Sequence, residues 1–194
     1  DFLCKINMED PRRWMCFCSI GERLSHISAY CGIEVTEGVL VVYNRGIYLI
    51  DCKSKIVKRE ISFGPSDMRR PLNLFRIQGI TNIEDGIILP EYSNNKDRKE
   101  MSLYRRNADG MWKCVYTFCA GTVRHIHAVI PDQYRNRVII LTGDNDDECA
   151  IWETKDDFKH VNKVIGSKQK YRSCCGMAYP EGIVYITDSP YEQN

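Results

Sequence analysis

Three arginines, Arg76, Arg124 and Arg172, stand at equal 48-residue intervals, each ahead of a strand-like segment that holds small residues. The segments recur as well: Gly32-Ile33, Gly79-Ile80, Ala128-Val129 and Gly176-Met177 are 47, 49 and 48 residues apart. A fixed period of this length marks repeated supersecondary units, each too small to bury its apolar face alone. No other property of the chain constrains its fold as tightly.

Each unit carries four short strand patterns. After the small-residue segment comes an apolar run: Val39–Tyr43, Ile87–Leu89, Val138–Leu141 and Ile183–Ile186. Glu37-Gly38, Asp85-Gly86 and Glu181-Gly182 precede three of these runs, and acidic-Gly between apolar runs is a hairpin signal. The remaining unit has a longer turn over 131–137. Third strands are expected at Ile47–Ile50, Ser102–Arg105 and Ala150–Glu153, and fourth strands at Ile56–Ile61, Trp112–Phe118 and Val161–Ile165. Asn107–Gly110 and Lys155–Asp157 supply turn residues between them.

No segment sustains a 3.6-residue apolar stripe, so helices should be few. The expected fold class is therefore all-β, a β-propeller of four-stranded antiparallel blades. Residues 23–65, 72–120 and 121–168 read as whole blades, and 1–22 and 169–194 as half blades. Phe2–Lys5 and Trp14–Ser19 supply the third and fourth strands of the first half. Two arrangements stay open. The chain is a segment of a larger six- or seven-bladed propeller, or its two halves complete one blade and close a four-bladed ring.

Hydrophobic residues make up 43% and charged residues 27%, an ordinary balance for a folded soluble domain. The formal net charge of +1 offers no global field to recruit nucleic acid or a membrane. No apolar run approaches the roughly 20 residues that span a bilayer. The 10 cysteines form no C-x-x-C pair, which argues against a structural zinc site. Most fall inside apolar strand patterns, favouring reduced, buried thiols in a reducing compartment such as the cytoplasm. Disulfides, and a metal role for Cys174-Cys175, are the alternatives.

The segment from Phe75-Arg-Ile-Gln-Gly to Glu91 resembles the sialidase superfamily, whose blades begin Phe/Tyr-Arg-Ile-Pro; Gln78 stands at the motif's Pro. Lys96-Asp97 and the residues up to Arg106 resemble the loop that carries the family's acid/base aspartate. Arg106-Asn-Ala-Asp-Gly-Met-Trp112 is similar to the Asp-box (BNR) repeat, and Lys155-Asp-Asp-Phe158 is a more eroded copy. This resemblance implies a propeller acting on or binding acidic sugars. It singles out Arg76 as an anion ligand and Asp97 as general acid/base, with Glu91 in support. Tyr92-Ser93 occupy the place where the family would carry a further arginine, and no nucleophile is assigned.

In an up-and-down blade, the lead-in to strand one and the turn joining strands two and three share an end. Arg76, Arg124 and Arg172 then lie on one surface with the loops Glu91–Glu100, Gly143–Glu148 and Asp188–Asn194. Guanidinium groups there would capture a carboxylate, sulfate or phosphate. Pairing with acids of neighbouring blades is the competing role. His125 and His127, two apart on a strand, face one side and suit either a substrate hydroxyl or a metal. Tyr171 and Tyr191 offer rings to stack on a sugar.

Asp144, Asp146 and Glu148 alternate, which in an extended loop would direct three carboxylates one way, as calcium would require; a solvated acidic loop, or partners for the arginines, is the competing reading. No cofactor is otherwise called for. The expected partner is an anionic carbohydrate or other small acidic ligand, with the remaining blades of a longer chain as a second partner. The sequence thus carries two functional readings. One is a sialidase-like propeller that binds, or hydrolyses, an anionic carbohydrate. The other is a non-catalytic platform for a protein or ligand.

Overall fold

The computed structural model describes residues 29–44, 46–64 and 69–189. Tyr191, Cys4, Cys16, Cys18 and the strand patterns Phe2–Lys5 and Trp14–Ser19 lie outside these. Among the described residues there is no α-helix, as the missing 3.6-residue stripe implied. The chain divides into two compact units, residues 1–70 and 71–194.

In the first unit, β1 (Ala29–Val35), β2 (Gly38–Tyr43), β3 (Gly46–Asp51) and β4 (Ile56–Ser62) form an antiparallel meander in sequence order. Val35 pairs with Gly38 across a two-residue turn, so the acidic-Gly signal marks the hairpin correctly. Leu40, Val42 and Ile47 lie on one face of this sheet and are fully buried. The β3–β4 turn is held by Asp51, which accepts the Lys53 amide at 2.8 Å and the Ser54 hydroxyl at 2.6 Å.

The second unit repeats the meander. One sheet contains β5 (Phe75–Ile77), β6 (Gly86–Pro90), β7 (Met101–Arg106) and β8 (Trp112–Phe118). The next contains β9 (Ile126–Asp132), β10 (Arg137–Thr142), β11 (Ala150–Thr154) and β12 (Asn162–Gly166). β13 (Ser173–Tyr179) and β14 (Gly182–Thr187) form a two-stranded sheet. β9 packs against β5 and β6 on one side and β13 on the other.

The period-2 alternation of strands explains this layering. Val129, Val138 and Ile140 join Ile88, Leu103 and Phe118 in a core shared with the preceding sheet. The intervening Ala128, Ile130, Ile139 and Leu141 pack towards Ala178, Ile183 and Tyr185 of the following sheet. Phe118 and Trp152 meet edge to face at 5.1 Å, a favoured aromatic geometry. Both faces of β9 and β10 are thus buried, so these strands read as nearly unbroken apolar runs.

Two expectations need correction. Gly79-Ile80 is not part of a strand; β5 stops at Ile77 and residues 78–85 form a loop. Gly79 has φ +68°, and its amide binds the Asp85 carboxylate at 2.8 Å, so the chain folds back instead of extending. The thiols also differ from the expected pattern: Cys149 is buried, but Cys52, Cys114, Cys119 and Cys175 are exposed, and no disulfide joins the described cysteines. Cys114 and Cys175 point outward from β8 and β13, and Cys52 and Cys119 lie just beyond the ends of β3 and β8.

One irregularity repeats. Between Ile126 and Ala128 the pairing with β10 slips, leaving His127 as an extra residue. The same slip leaves Cys174 extra in β13 and Tyr30 extra in β1. A bulge of this kind re-aims one side chain at a strand end.

Candidate functional site

The leading end of β9, the segment after β10 and the lead-in to β13 converge on Asp144. Gly143 turns the chain there: it has φ +110°, and an added Cβ would come within 2.4 Å of the Cys149 Cα. That turn carries the Asp144 carboxylate to the histidines. Asp144 Oδ2 lies 2.7 Å from His125 Nε2, and Oδ1 lies 3.6 Å from His127 Nε2. The other ring nitrogens face backbone carbonyls, His125 Nδ1 that of Ser93 at 2.8 Å and His127 Nδ1 that of Ser173 at 3.0 Å. Both histidines are buried. Tyr92 stacks on His125 with ring centroids 4.4 Å apart.

Two guanidinium groups flank this carboxylate loosely. Arg172 Nη2 is 3.3 Å from Asp144 Oδ1 and 3.6 Å from Asp188 Oδ2. Arg124 Nη1 is 3.6 Å from Asp144 Oδ2, and its Nη2 donates to Asn94 Oδ1 at 3.4 Å. Charge-assisted hydrogen bonds normally close to about 2.7–2.9 Å. The Nε atoms of Arg124 and Arg172 are buried and have no hydrogen-bond partner. Burial without a partner costs roughly 1–3 kcal/mol per group. Both arginines line an open cleft of about 760 Å³ together with Asp144, Asn145, Asp146, Asp147 and Gln169.

Burial alone would raise the Asp144 carboxyl, but His125, His127 and the Arg172 charge outweigh it and hold the group well below the ordinary carboxylate range. Asp144 is therefore ionised. The Cys174 thiol, 3.6 Å from His127 Nδ1 and 3.3 Å from Asp188 Oδ2, is pushed up to about 12 by burial and then by Asp188. It remains a neutral thiol and is no ready nucleophile. Burial, with Asp144 adding to it, likewise raises the Tyr92 phenol.

Of the residues expected from sequence, Arg124, His125, His127, Asp144 and Arg172 come together. Arg76 does not line the cleft: it sits exposed inside β5, opposite Ile87, whereas Arg124 lies two residues ahead of β9 and Arg172 one ahead of β13. Equal sequence spacing does not give equal depth, because β5 starts earlier relative to its arginine. Asp97 occupies an exposed turn. Glu91 is buried, and its Oε2 accepts the Ser102 amide at 2.8 Å. Tyr171 packs partly buried against the core beside β13, with the Lys170 ammonium 5.1 Å from its ring centre.

The expected trio Asp144, Asp146 and Glu148 does not form a calcium cage. The loop curls, with the Asn145 carbonyl accepting the amides of Glu148 and Cys149 at 3.1 and 2.9 Å. Glu148 Oε1 then accepts from the Asn145 side chain at 2.8 Å, and Oε2 lies 3.3 Å from Arg98 Nε. Alternation, which assumed an extended loop, is lost. Tyr92, Gln169 and Asp188 complete the site without having been singled out as individual site residues. For Asp188 a signal existed: Thr187-Asp188 follows β14 as Thr142-Gly143-Asp144 follows β10.

No protein-family model matches the chain, and no curated protein matches it. Among solved structures, a chain of the "Crystal structure of Nidogen/Laminin Complex" is similar, with a TM-score of 0.53 over 77% of this chain and 51% of that one. The chain thus spans about half the length of that relative. At 6% identity the likeness concerns fold alone: an all-β architecture of blade-like antiparallel sheets.

Proposed function

We propose that the sheets of residues 71–189 are successive blades of a sialidase-like propeller, and that the Arg124–Arg172 cleft binds the carboxylate of an acidic carbohydrate. The observation that carries this reading is that Arg124 and Arg172 line one open cleft while their Nη groups lie only 3.6 and 3.3 Å from the Asp144 carboxylate. A carboxylate offers two oxygens at the spacing of a guanidinium fork and would give these donors a closer acceptor. Gln169 and Asn145 line the same cleft and suit sugar hydroxyls. Packing of β9 against β5, β6 and β13 is the contact that successive blades make at a hub.

The reading is one of binding rather than hydrolysis. Asp97 is exposed in its turn, and the Glu91 carboxylate is engaged by the Ser102 amide. Isothermal titration with D-glucuronate and N-acetylneuraminate, against glucose, tests the proposal. Acidic sugars should bind and glucose should not, and Arg124→Ala or Arg172→Ala should each weaken binding at least about tenfold. Binding that ignores the sugar's charge or the loss of either arginine would overturn it. Release of a fluorophore from acidic glycosides at a rate that falls in Asp97→Ala would instead restore the hydrolase reading.

A further inference from the structure

His125 presents an inconsistency in donors and acceptors. Its Nδ1 faces the Ser93 carbonyl at 2.8 Å, and its Nε2 faces an Asp144 carboxylate oxygen at 2.7 Å. Both partners are acceptors, so a neutral imidazole, with only one N–H, leaves one of them opposite a lone pair. His127 repeats the pattern, between the Ser173 carbonyl at 3.0 Å and Asp144 Oδ1 at 3.6 Å. Two imidazolium rings would satisfy every acceptor. A cation held between the two Nε2 atoms and the carboxylate satisfies the same acceptors with both rings neutral, their centroids lying 5.2 Å apart.

The geometry points to a three-ligand site for a zinc-type divalent transition ion, formed by His125 Nε2, His127 Nε2 and the Asp144 carboxylate. Its fourth position would be open to the Arg124–Arg172 cleft. The three ligand atoms already lie within 4.8 Å of one another. Metal–ligand bonds of about 2.0–2.1 Å in a tetrahedral arrangement need donors roughly 3.3 Å apart, which small side-chain rotations supply. Two imidazoles and one carboxylate with an open position match zinc better than calcium, which prefers six or more oxygens.

The surroundings fit a metal centre in a second respect. With the ion bound, each histidine would donate Nδ1–H to a backbone carbonyl, the tautomer that aims the Nε2 lone pair at the ion. The repeated bulge explains how His127 reaches that position: it is the extra residue of β9, turned out of the core alternation. The equivalent bulge residue in β13 is Cys174, whose Sγ lies 3.6 Å from His127 Nδ1, the ring nitrogen away from the proposed ion.

The site stands apart from the carboxylate-binding reading and is tested separately. Chelator-treated full chain is titrated with Zn²⁺ by calorimetry and with Co²⁺ by visible absorption. One equivalent should bind, and the cobalt spectrum should lack the thiolate charge-transfer band that adventitious cysteine sites give. His127→Ala and His125→Ala should each lose at least about 100-fold in Zn²⁺ affinity, at least as large as the effect of removing an outer-shell partner. A measurement on unmutated chain guards against misfolded variants: the ¹⁵N resonances of both Nε2 atoms should shift on adding Zn²⁺ while the Nδ1 resonances keep their protonated positions. No stoichiometric uptake, uptake indifferent to both histidines, or unmoved Nε2 resonances would each overturn the site. Glucuronate binding that persists in chelator leaves the arginine reading intact if zinc fails; zinc uptake without glucuronate binding does the reverse.

Discussion

The two ends of the β9–β10 pair carry the same chemical parts in opposite states of completion. At the turn end, Asp132 is fully buried and bound by Arg137 Nε at 2.8 Å and Arg135 Nη1 at 3.1 Å. Arg137 also reaches Glu153 at 2.6 Å, and Arg135 donates to the Pro180 carbonyl at 2.8 Å. At the other end Asp144 also lies between two arginines, but at 3.3 and 3.6 Å, and both guanidinium Nε atoms lack acceptors. Two like-sized carboxylate–arginine clusters on the same strands thus differ in one respect. One is closed by protein groups, and the other is left open on a cleft. A cluster closed by its own neighbours ties sheets together, whereas an incomplete one keeps donors for a ligand.

The comparison breaks most readily at the carboxylates. Asp132→Ala should cost about 3 kcal/mol in urea unfolding, the low end for a broken buried pair because both arginines retain some exposure. Asp144→Ala should cost less than about half as much, since its cations face the cleft. Equal losses would erase the distinction between the two ends.

Gly143→Ala comes next. Strain at φ +110° and collision with Cys149 should cost more than about 1 kcal/mol and also displace Asp144, so both zinc and glucuronate titrations should fail. Retained binding by this variant would mean that the turn does not position the site. Arg172→Ala should leave stability within about 0.5 kcal/mol while weakening glucuronate at least about tenfold.

The smallest effect is in the pH dependence. Asp157 is raised by burial, but Arg105 and the Glu84 amide outweigh this and lower it overall. Its contribution to stability is therefore present above the unfolded carboxylate pKa near 4 and is lost as pH falls through the lower folded value. Asp157→Asn should flatten the acid limb of the stability curve, by less than about 1 kcal/mol given its partial exposure. An unchanged acid limb would mean that the ion pair between Arg105 and Asp157 does not stabilise the fold.

Much of this was legible from the repeat alone. Strand positions followed from alternation and turn residues, and most boundaries moved by a residue or two. Arg124, Arg172 and the histidine pair were visible because the lead-in to strand one and the loop after strand two share an end of each blade. Their common partner Asp144 was legible only as one of several acids in a loop that could pair with the arginines, because loop curling depends on hydrogen bonds such as Asn145 to Cys149 that alternation does not encode. Arg76 was misplaced for a related reason: a 48-residue interval fixes the repeat but not how deep a residue sits in its strand. The bulge at His127 is set by pairing with β10 and leaves no mark in local composition. The contrast between Asp132 and Asp144, both flanked by arginines in sequence or space, required distances.

The most direct test is a calorimetric titration of D-glucuronate into wild type, Arg124→Ala/Arg172→Ala and Arg135→Ala under one buffer. The account predicts saturable binding by wild type and Arg135→Ala and none by the double variant. Binding by the double variant with wild-type affinity, or its loss only in Arg135→Ala, would contradict the assignment of the open cluster as the ligand site.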